Sequence, residues 1–132
     1  MGLRRVFGIV FASLGFASLL YSIYMLYFAL YKATNLLGAV GAALVFLLVW
    51  LVSIVLYVAS YLISIGVKSR LLAVLFTVGG AINLFAGSAL TVDLLAQHGF
   101  DITSVSVRES LPYFSIIILV GIAFILAGRR KL

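Results

Sequence analysis

The side chains best placed to do chemistry lie on one predicted helix, in an uncharged stretch from Leu71 to Val92. Asn83 stands near its middle, where an unpaired amide is costly in hydrocarbon. Small or hydroxylated residues recur every four positions around it. This spacing predicts a helix-packing seam with an interhelical hydrogen bond, and the alternative is an ion or substrate path lined by Asn83. The set is Gly79, Asn83, Gly87 and Thr91.

The preceding predicted helix has a second polar stripe, formed by three serines and one tyrosine. Hydroxyl groups in membrane helices usually bond the carbonyls of their own helix or of a neighbouring helix. We therefore interpret this stripe as a packing face, and the alternative is a hydrated pathway. Its members are Ser53, Tyr57, Ser60 and Ser64.

Catalytic and metal-binding patterns are missing from the sequence. His98 is the only histidine and there is no cysteine, so the chain alone cannot hold a haem through two histidines or an iron–sulfur cluster. No nucleophile–base arrangement or glycine-rich phosphate loop is visible. We expect a protein that is not an enzyme, has no metal site and no cofactor of its own, and binds lipid.

The elements that must position these residues are four uncharged stretches. The chain is 66% hydrophobic and only 9% charged, whereas a soluble domain has about 25% charged residues. Each stretch is close to or beyond the roughly 20 residues that a membrane-spanning helix needs. We predict an all-α integral membrane protein, a single four-helix bundle with helices at about 6–31, 36–66, 71–94 and 111–128 and an external loop at about 95–110.

The distribution of charge predicts the orientation. If the N-terminus is cytoplasmic, seven cations face inward, whereas Lys32, Arg108 and all three acids face outward. The positive-inside rule therefore places both termini in the cytoplasm, and we expect a prokaryotic cytoplasmic membrane. The net charge of +6 is then expected to attract anionic lipid headgroups, and we do not expect nucleic-acid binding. The inward cations, to which we assign lipid anchoring, are Arg4, Arg5, Lys68, Arg70, Arg129, Arg130 and Lys131.

Capping residues mark the predicted helix boundaries. Residues with side-chain oxygens cap helix N-termini, glycine ends helices, and proline is tolerated in a first turn. The second helix is long for a bilayer, so we expect it to tilt, protrude or break near Gly38 and Gly41. The boundary residues are Thr34 or Asn35, Gly66, Ser69, and Ser110 followed by Pro112.

The external loop alternates polar and β-branched residues from Phe100 to Arg108, a pattern typical of an extended strand. Such a strand would cover the helix ends or add to the sheet of a partner protein. The candidate partner contacts are Asp101, Thr103, Val105 and Val107.

The segment from Arg5 to Gly15 resembles the segment from Arg70 to Gly80 in its pattern of basic, apolar and glycine residues. Membrane segments resemble one another by composition alone, so coincidence and duplication of a two-helix hairpin both stay open. A true repeat would be parallel, because both segments run in the same direction.

These observations favour a non-catalytic accessory subunit of a larger integral membrane complex, for example a respiratory or other energy-converting assembly. Its contacts with other membrane subunits would be the Gly79–Asn83–Gly87 face and the outer loop. The alternative is a small homo-oligomeric channel or facilitator with Asn83 lining the path. An enzyme acting on lipid and an envelope-structural protein are less favoured, and the absence of ionisable residues within the spans argues against proton-coupled transport.

Overall fold

The computed structural model describes residues 2–100 and 103–132, and these residues are all-helical, without a strand. A π-helical segment, Phe28–Lys32, continues the first helix. All four helices are long and apolar enough to cross a membrane, which agrees with the predicted bundle. The helices are α1 (Gly2–Tyr27), α2 (Leu36–Ile63), α3 (Arg70–Gln97) and α4 (Val105–Arg130).

The helices pack as two antiparallel hairpins, α1 with α2 and α3 with α4, and α1 also packs against α3. Both chain termini and the α2–α3 connection lie at one end of the bundle, here named the termini end, where Arg4 contacts Ile63 and Lys68 contacts Arg130. The opposite end, named the loop end, holds the α1–α2 and α3–α4 connections.

Glycines bring the paired helices into backbone contact. A Cβ atom on Gly80 would lie 2.5 Å from the carbonyl oxygen of Gly121, and one on Gly121 would lie 2.7 Å from that of Gly80. In the other hairpin, a Cβ on Gly15 would lie 3.2 Å from the Ser53 carbonyl oxygen. Each hairpin therefore depends on small residues at its crossing, as is usual where membrane helices approach closely.

Large side chains fill the space between the hairpins. The rings of Tyr57 and Phe76 have their centroids 5.0 Å apart, and those of Tyr57 and Phe124 lie 4.5 Å apart. Leu19 and Leu72 are fully buried beside them. Edge-on and tilted aromatic pairs of this kind add to the gain from close packing.

Three predicted boundary signals are confirmed. The Asn35 side chain accepts a hydrogen bond from the Gly38 amide at 2.6 Å, and Ser69 accepts one from the Leu72 amide at 3.4 Å. Gly66 has φ of 78° shortly after α2 ends, a backbone conformation that glycine adopts at little cost.

The predicted start of α4 at Ser110 is wrong. The helix begins at Val105, so Pro112 lies in its interior and the carbonyl of Arg108 lacks that helical amide partner. Arg108 is exposed, so its carbonyl can be hydrated. The cost of proline is therefore small near this end of the helix.

The predicted strand is also wrong where the structure describes it, because Val105 to Arg108 are helical. Val107 is fully buried, and it begins a helical face that continues through Leu111 and Phe114. The helical spacing of that face, i, i+4, i+7, outweighs the local β-branched pattern. Asp101 and Ile102 lie outside the described residues.

The long second helix does not break. α2 is continuous through Gly38 and Gly41, and its first turn protrudes, with Leu36 and Leu37 80% and 83% exposed. Its 28 residues measure about 42 Å at 1.5 Å per residue, against a hydrocarbon core of about 30 Å. In a bilayer of that thickness, the excess length of α2 would require protrusion or tilt.

Candidate functional site

Asn83 is fully buried between α3 and α2. The indole Nε1 of Trp50 donates a hydrogen bond to its Oδ1 at 3.1 Å. Among the described residues, Asn83 Nδ2 is the single buried side-chain nitrogen or oxygen atom without a hydrogen-bond partner. An unsatisfied buried amide N–H costs about 1–3 kcal/mol. The predicted interhelical hydrogen bond is therefore present. It involves the oxygen of the Asn83 carboxamide and leaves the nitrogen unpaired.

The other members of the predicted seam face different neighbours. A Cβ on Gly79 would collide with the Tyr57 hydroxyl of α2, whereas one on Gly87 would lie 2.7 Å from Ile118 Cγ1 of α4. The Thr91 hydroxyl donates to the Gly87 carbonyl of its own helix at 2.8 Å. A spacing of four residues drifts around a helix with 3.6 residues per turn, so one stripe contacts two helices in turn.

The serine stripe of α2 is a packing face. Ser60 Oγ donates to the Gly8 carbonyl of α1 at 2.6 Å, and Ser53 Oγ donates to the Trp50 carbonyl of its own helix at 2.7 Å. Ser64 is buried as well, and its Oγ donates to the Ser60 carbonyl at 2.7 Å. The hydroxyls are thus bound inside the first hairpin.

Lys131 joins three helices at the termini end. It is 3% exposed, and its ammonium donates to the Ser64 carbonyl and lies 4.8 Å above the ring centroid of Tyr61. The Lys131 carbonyl accepts a hydrogen bond from the Ser69 amide at 2.9 Å. Its pKa is lowered, first by burial and then by the positive charges of Arg4 and Lys68.

Two further cations of the predicted anchoring set bind carbonyl oxygens at this end. Arg4 donates to the carbonyl of Ile63, the last residue of α2, at 3.0 Å, and to the carbonyl of Ile65, just beyond the helix, at 2.6 Å. Lys68 donates to the Arg130 carbonyl at 2.9 Å. The remaining members, which are exposed, are Arg5, Arg70, Arg129 and Arg130.

At the loop end, Asp93 links α3 to the segment that follows α1. Its Oδ2 accepts hydrogen bonds from the Tyr31 hydroxyl at 2.8 Å and from Gln97 Nε2 at 3.0 Å. Of the predicted partner contacts nearby, Thr103 and Val105 are exposed. The burial of Val107 removes its side chain from any such surface.

Two cavities adjoin Lys131. An apolar groove of about 180 Å³ lies between α2 and α4 and has Phe76 of α3 among its walls. A second cavity of about 290 Å³ at the termini end is lined by Lys68, Ser69, Arg70, Lys131 and Leu132. The groove is lined by Tyr57, Val58, Tyr61, Phe76, Phe124 and Ala127.

Comparison with known proteins gives no match: no family model, no curated protein and no solved structure matches the chain.

The neighbours of Asn83, of the α3 glycines and of Lys131 were not predicted from the sequence. Trp50 is the only tryptophan and its N–H needs an acceptor when buried, so it was the natural donor to Asn83. The tighter α3–α4 seam was marked by glycines seven residues apart, Gly80 with Gly87 and Gly121 with Gly128. The contact of Lys131 with Tyr61 had no sequence signal, because it depends on how the helices pack in three dimensions.

Proposed function

We propose that this chain is a non-catalytic subunit of a larger integral membrane complex, held in the bilayer by its four helices. One observation supports this most: apart from the Asn83 amide nitrogen, the buried polar side chains named above are hydrogen-bonded within the chain. The Asn83 oxygen binds Trp50, and the buried hydroxyls of Ser53 and Ser60 bind backbone carbonyls. Groups consumed by packing are not free to bind a substrate or line a path.

The interaction surface of such a subunit must be its outer faces. Gly79, Asn83 and Gly87 are buried inside one copy, which corrects the expectation that this face meets a partner. Large apolar side chains are exposed on every helix, for example Val55 on α2 and Phe85 on α3. In a membrane these side chains meet lipid or other subunits, since lipid tails are as apolar as leucine.

The proposed orientation places the termini end in the cytoplasm. Seven cations gather there, with Arg4, Lys68 and Lys131 in close proximity, whereas Asp93 lies at the loop end. Membrane proteins keep an excess of Lys and Arg in cytoplasmic loops, which supports this assignment.

Photo-crosslinking in the native membrane tests the accessory role. A photoreactive phenylalanine analogue is placed at one exposed position on each helix, and at buried Phe76 as the matched control. Crosslinks from one or more exposed positions to a different membrane protein support the role. Crosslinks only to lipid or to other copies of the chain contradict it. The exposed positions are Val10, Val55, Phe85 and Leu119.

A second candidate is a homo-oligomeric channel or facilitator, and the unpaired Nδ2 of Asn83 favours it. Asn83→Leu separates the two functions when flux through reconstituted vesicles is compared with the yield of folded protein. If Asn83 lines a path, flux stops while folded yield is kept. If Asn83 is a packing residue, the variant loses stability and the wild type shows no flux above empty vesicles.

A further inference from the structure

The termini end holds a cationic cavity with no acidic side chain among its lining residues. Lys68, Arg70 and Lys131 line it, and Arg4 lies near enough to act on Lys131. The chain has only three acids, and of the two that the structure describes, Asp93 binds Tyr31 at the loop end and Glu109 lies in the α4 segment that begins there.

Lys131 is the unusual member of this group. Its side chain is almost entirely buried, yet its ammonium binds a neutral carbonyl and a tyrosine ring, not a carboxylate. Burying a cation without a counter-charge is costly, and two neighbouring cations add to that cost. An anion at this place would offset both costs.

Lys131 lies beside both the apolar groove and the cationic cavity. Tyr61 forms part of the groove wall, and the Lys131 ammonium lies over the Tyr61 ring while Lys131 also lines the cavity. Val58 of the groove wall is about half exposed, so the groove is accessible from the membrane side of α2. One residue therefore joins a space suited to a hydrocarbon chain to a space suited to an anion.

We propose that the α2–α4 groove and the adjoining cationic cavity form a binding site for one anionic membrane phospholipid. Its hydrocarbon chain lies against Val58, Tyr61 and Ala127, the accessible residues of the groove wall, and its phosphate lies among Lys68, Arg70 and Lys131. Basic pockets between helices at the membrane surface are suited to lipid headgroups. A free phosphate would use the cavity alone and leave the groove empty.

Native mass spectrometry tests this site on protein released from nanodiscs of phosphatidylcholine with increasing fractions of phosphatidylglycerol. Lys131→Gln is compared with Arg129→Gln. The control variant also removes one positive charge, but from an exposed side chain two residues earlier in the chain. If each cation contributes only a general surface attraction of about 1 kcal/mol, the loss of one cation weakens lipid binding about fivefold in either variant. We expect that loss or less for Arg129→Gln and about twentyfold for Lys131→Gln.

A second pair of variants tests the groove. Ala127→Phe fills it, whereas Ala123→Phe adds the same ring to an exposed position four residues earlier on α4. We expect Ala127→Phe to lose retained phosphatidylglycerol and Ala123→Phe to keep it, with both eluting as folded protein. Equal losses from Lys131→Gln and Arg129→Gln, or undiminished binding to Ala127→Phe, would overturn the proposal.

This site does not depend on the accessory role. A lone homo-oligomer that retains phosphatidylglycerol through Lys131 contradicts the proposed function and supports the lipid site. If the chain crosslinks to a larger complex but all four variants bind the lipid equally well, the proposed function is supported and the lipid site is contradicted.

Discussion

The Trp50 indole donates to the Asn83 carboxamide oxygen at 3.1 Å, which joins the first hairpin to the second in the buried interior. The backbones of α2 and α3 are not closely packed, so this bond and the Tyr57 hydroxyl bond to the Leu75 carbonyl are polar links between them. Double-mutant cycles between membrane helices give about 0.6 kcal/mol for such bonds, and at most about 1.7.

We therefore expect a coupling free energy in this range from Trp50→Phe and Asn83→Leu, measured by reversible unfolding in mixed detergent. Trp50→Phe paired with Thr91→Val serves as the control cycle, because the Thr91 hydroxyl bonds its own helix. Additive effects of Trp50→Phe and Asn83→Leu would show that the bond contributes nothing to joining the hairpins.

Alanine at two glycines should have opposite effects on stability. A Cβ at Gly121 would lie 2.7 Å from backbone atoms of Gly80 and Leu84, whereas one at Gly41 meets nothing within 4 Å. We expect Gly121→Ala to lower the free energy of unfolding by about 1–3 kcal/mol through overpacking. Gly41→Ala should raise the free energy of unfolding by about 0.5–1 kcal/mol, because alanine has a higher helix propensity than glycine at an exposed position within a helix. The same unfolding assay checks both, and a neutral Gly121→Ala would contradict the close α3–α4 crossing.

The depressed pKa of Lys131 predicts a rise in stability at alkaline pH. The unfolded chain keeps the proton up to the ordinary value of 10.5, while the folded protein releases it at a lower pH. Between those two values the unfolded state binds more protons, so stability increases with pH. The penalty of the buried charge is fully present below the window and relieved above it.

The measurement for Lys131 is the difference in melting temperature between wild type and Lys131→Gln from pH 8 upward, in zwitterionic detergent without anionic lipid. We expect wild type to gain relative to the variant as pH rises toward 10.5. The corresponding difference for Arg129→Gln should show no such gain. A wild-type curve that falls relative to Lys131→Gln would reverse the sign of the assigned shift.

The proposed orientation can be measured with single cysteines, since the natural chain has none. Thr34 at the loop end and Arg130 at the termini end are both exposed. In intact cells, a membrane-impermeant maleimide should label Thr34→Cys and leave Arg130→Cys unlabelled until the membrane is opened. The opposite pattern would mean that the chain violates the positive-inside rule.

The four helices were predictable from the sequence, because bilayer thickness sets the length of a charge-free stretch and this length requires no tertiary information. The caps at Asn35 and Ser69 were also predictable, because each depends on atoms within one helical turn. The start of α4 was not, since Val107 belongs to a buried face that only packing against the rest of the bundle reveals.

The candidate site was predicted in part for the same reason. Asn83 was identified from its type and depth, but its neighbours depend on helix rotation, which the sequence left open. The two segments that resemble each other each place a glycine at a hairpin crossing: Gly15 packs on the Ser53 carbonyl and Gly80 packs on the Gly121 carbonyl. Duplication of a hairpin stays a hypothesis.

The accessory role is tested most directly by extracting the tagged chain from its native membrane in a mild detergent. Native-gel sizing then gives the assembly mass, and mass spectrometry identifies what co-purifies in stoichiometric amount. We expect the 14.2 kDa chain to migrate within a much larger assembly that contains different membrane subunits. A homogeneous species containing this chain alone, with lipid, would contradict the accessory role.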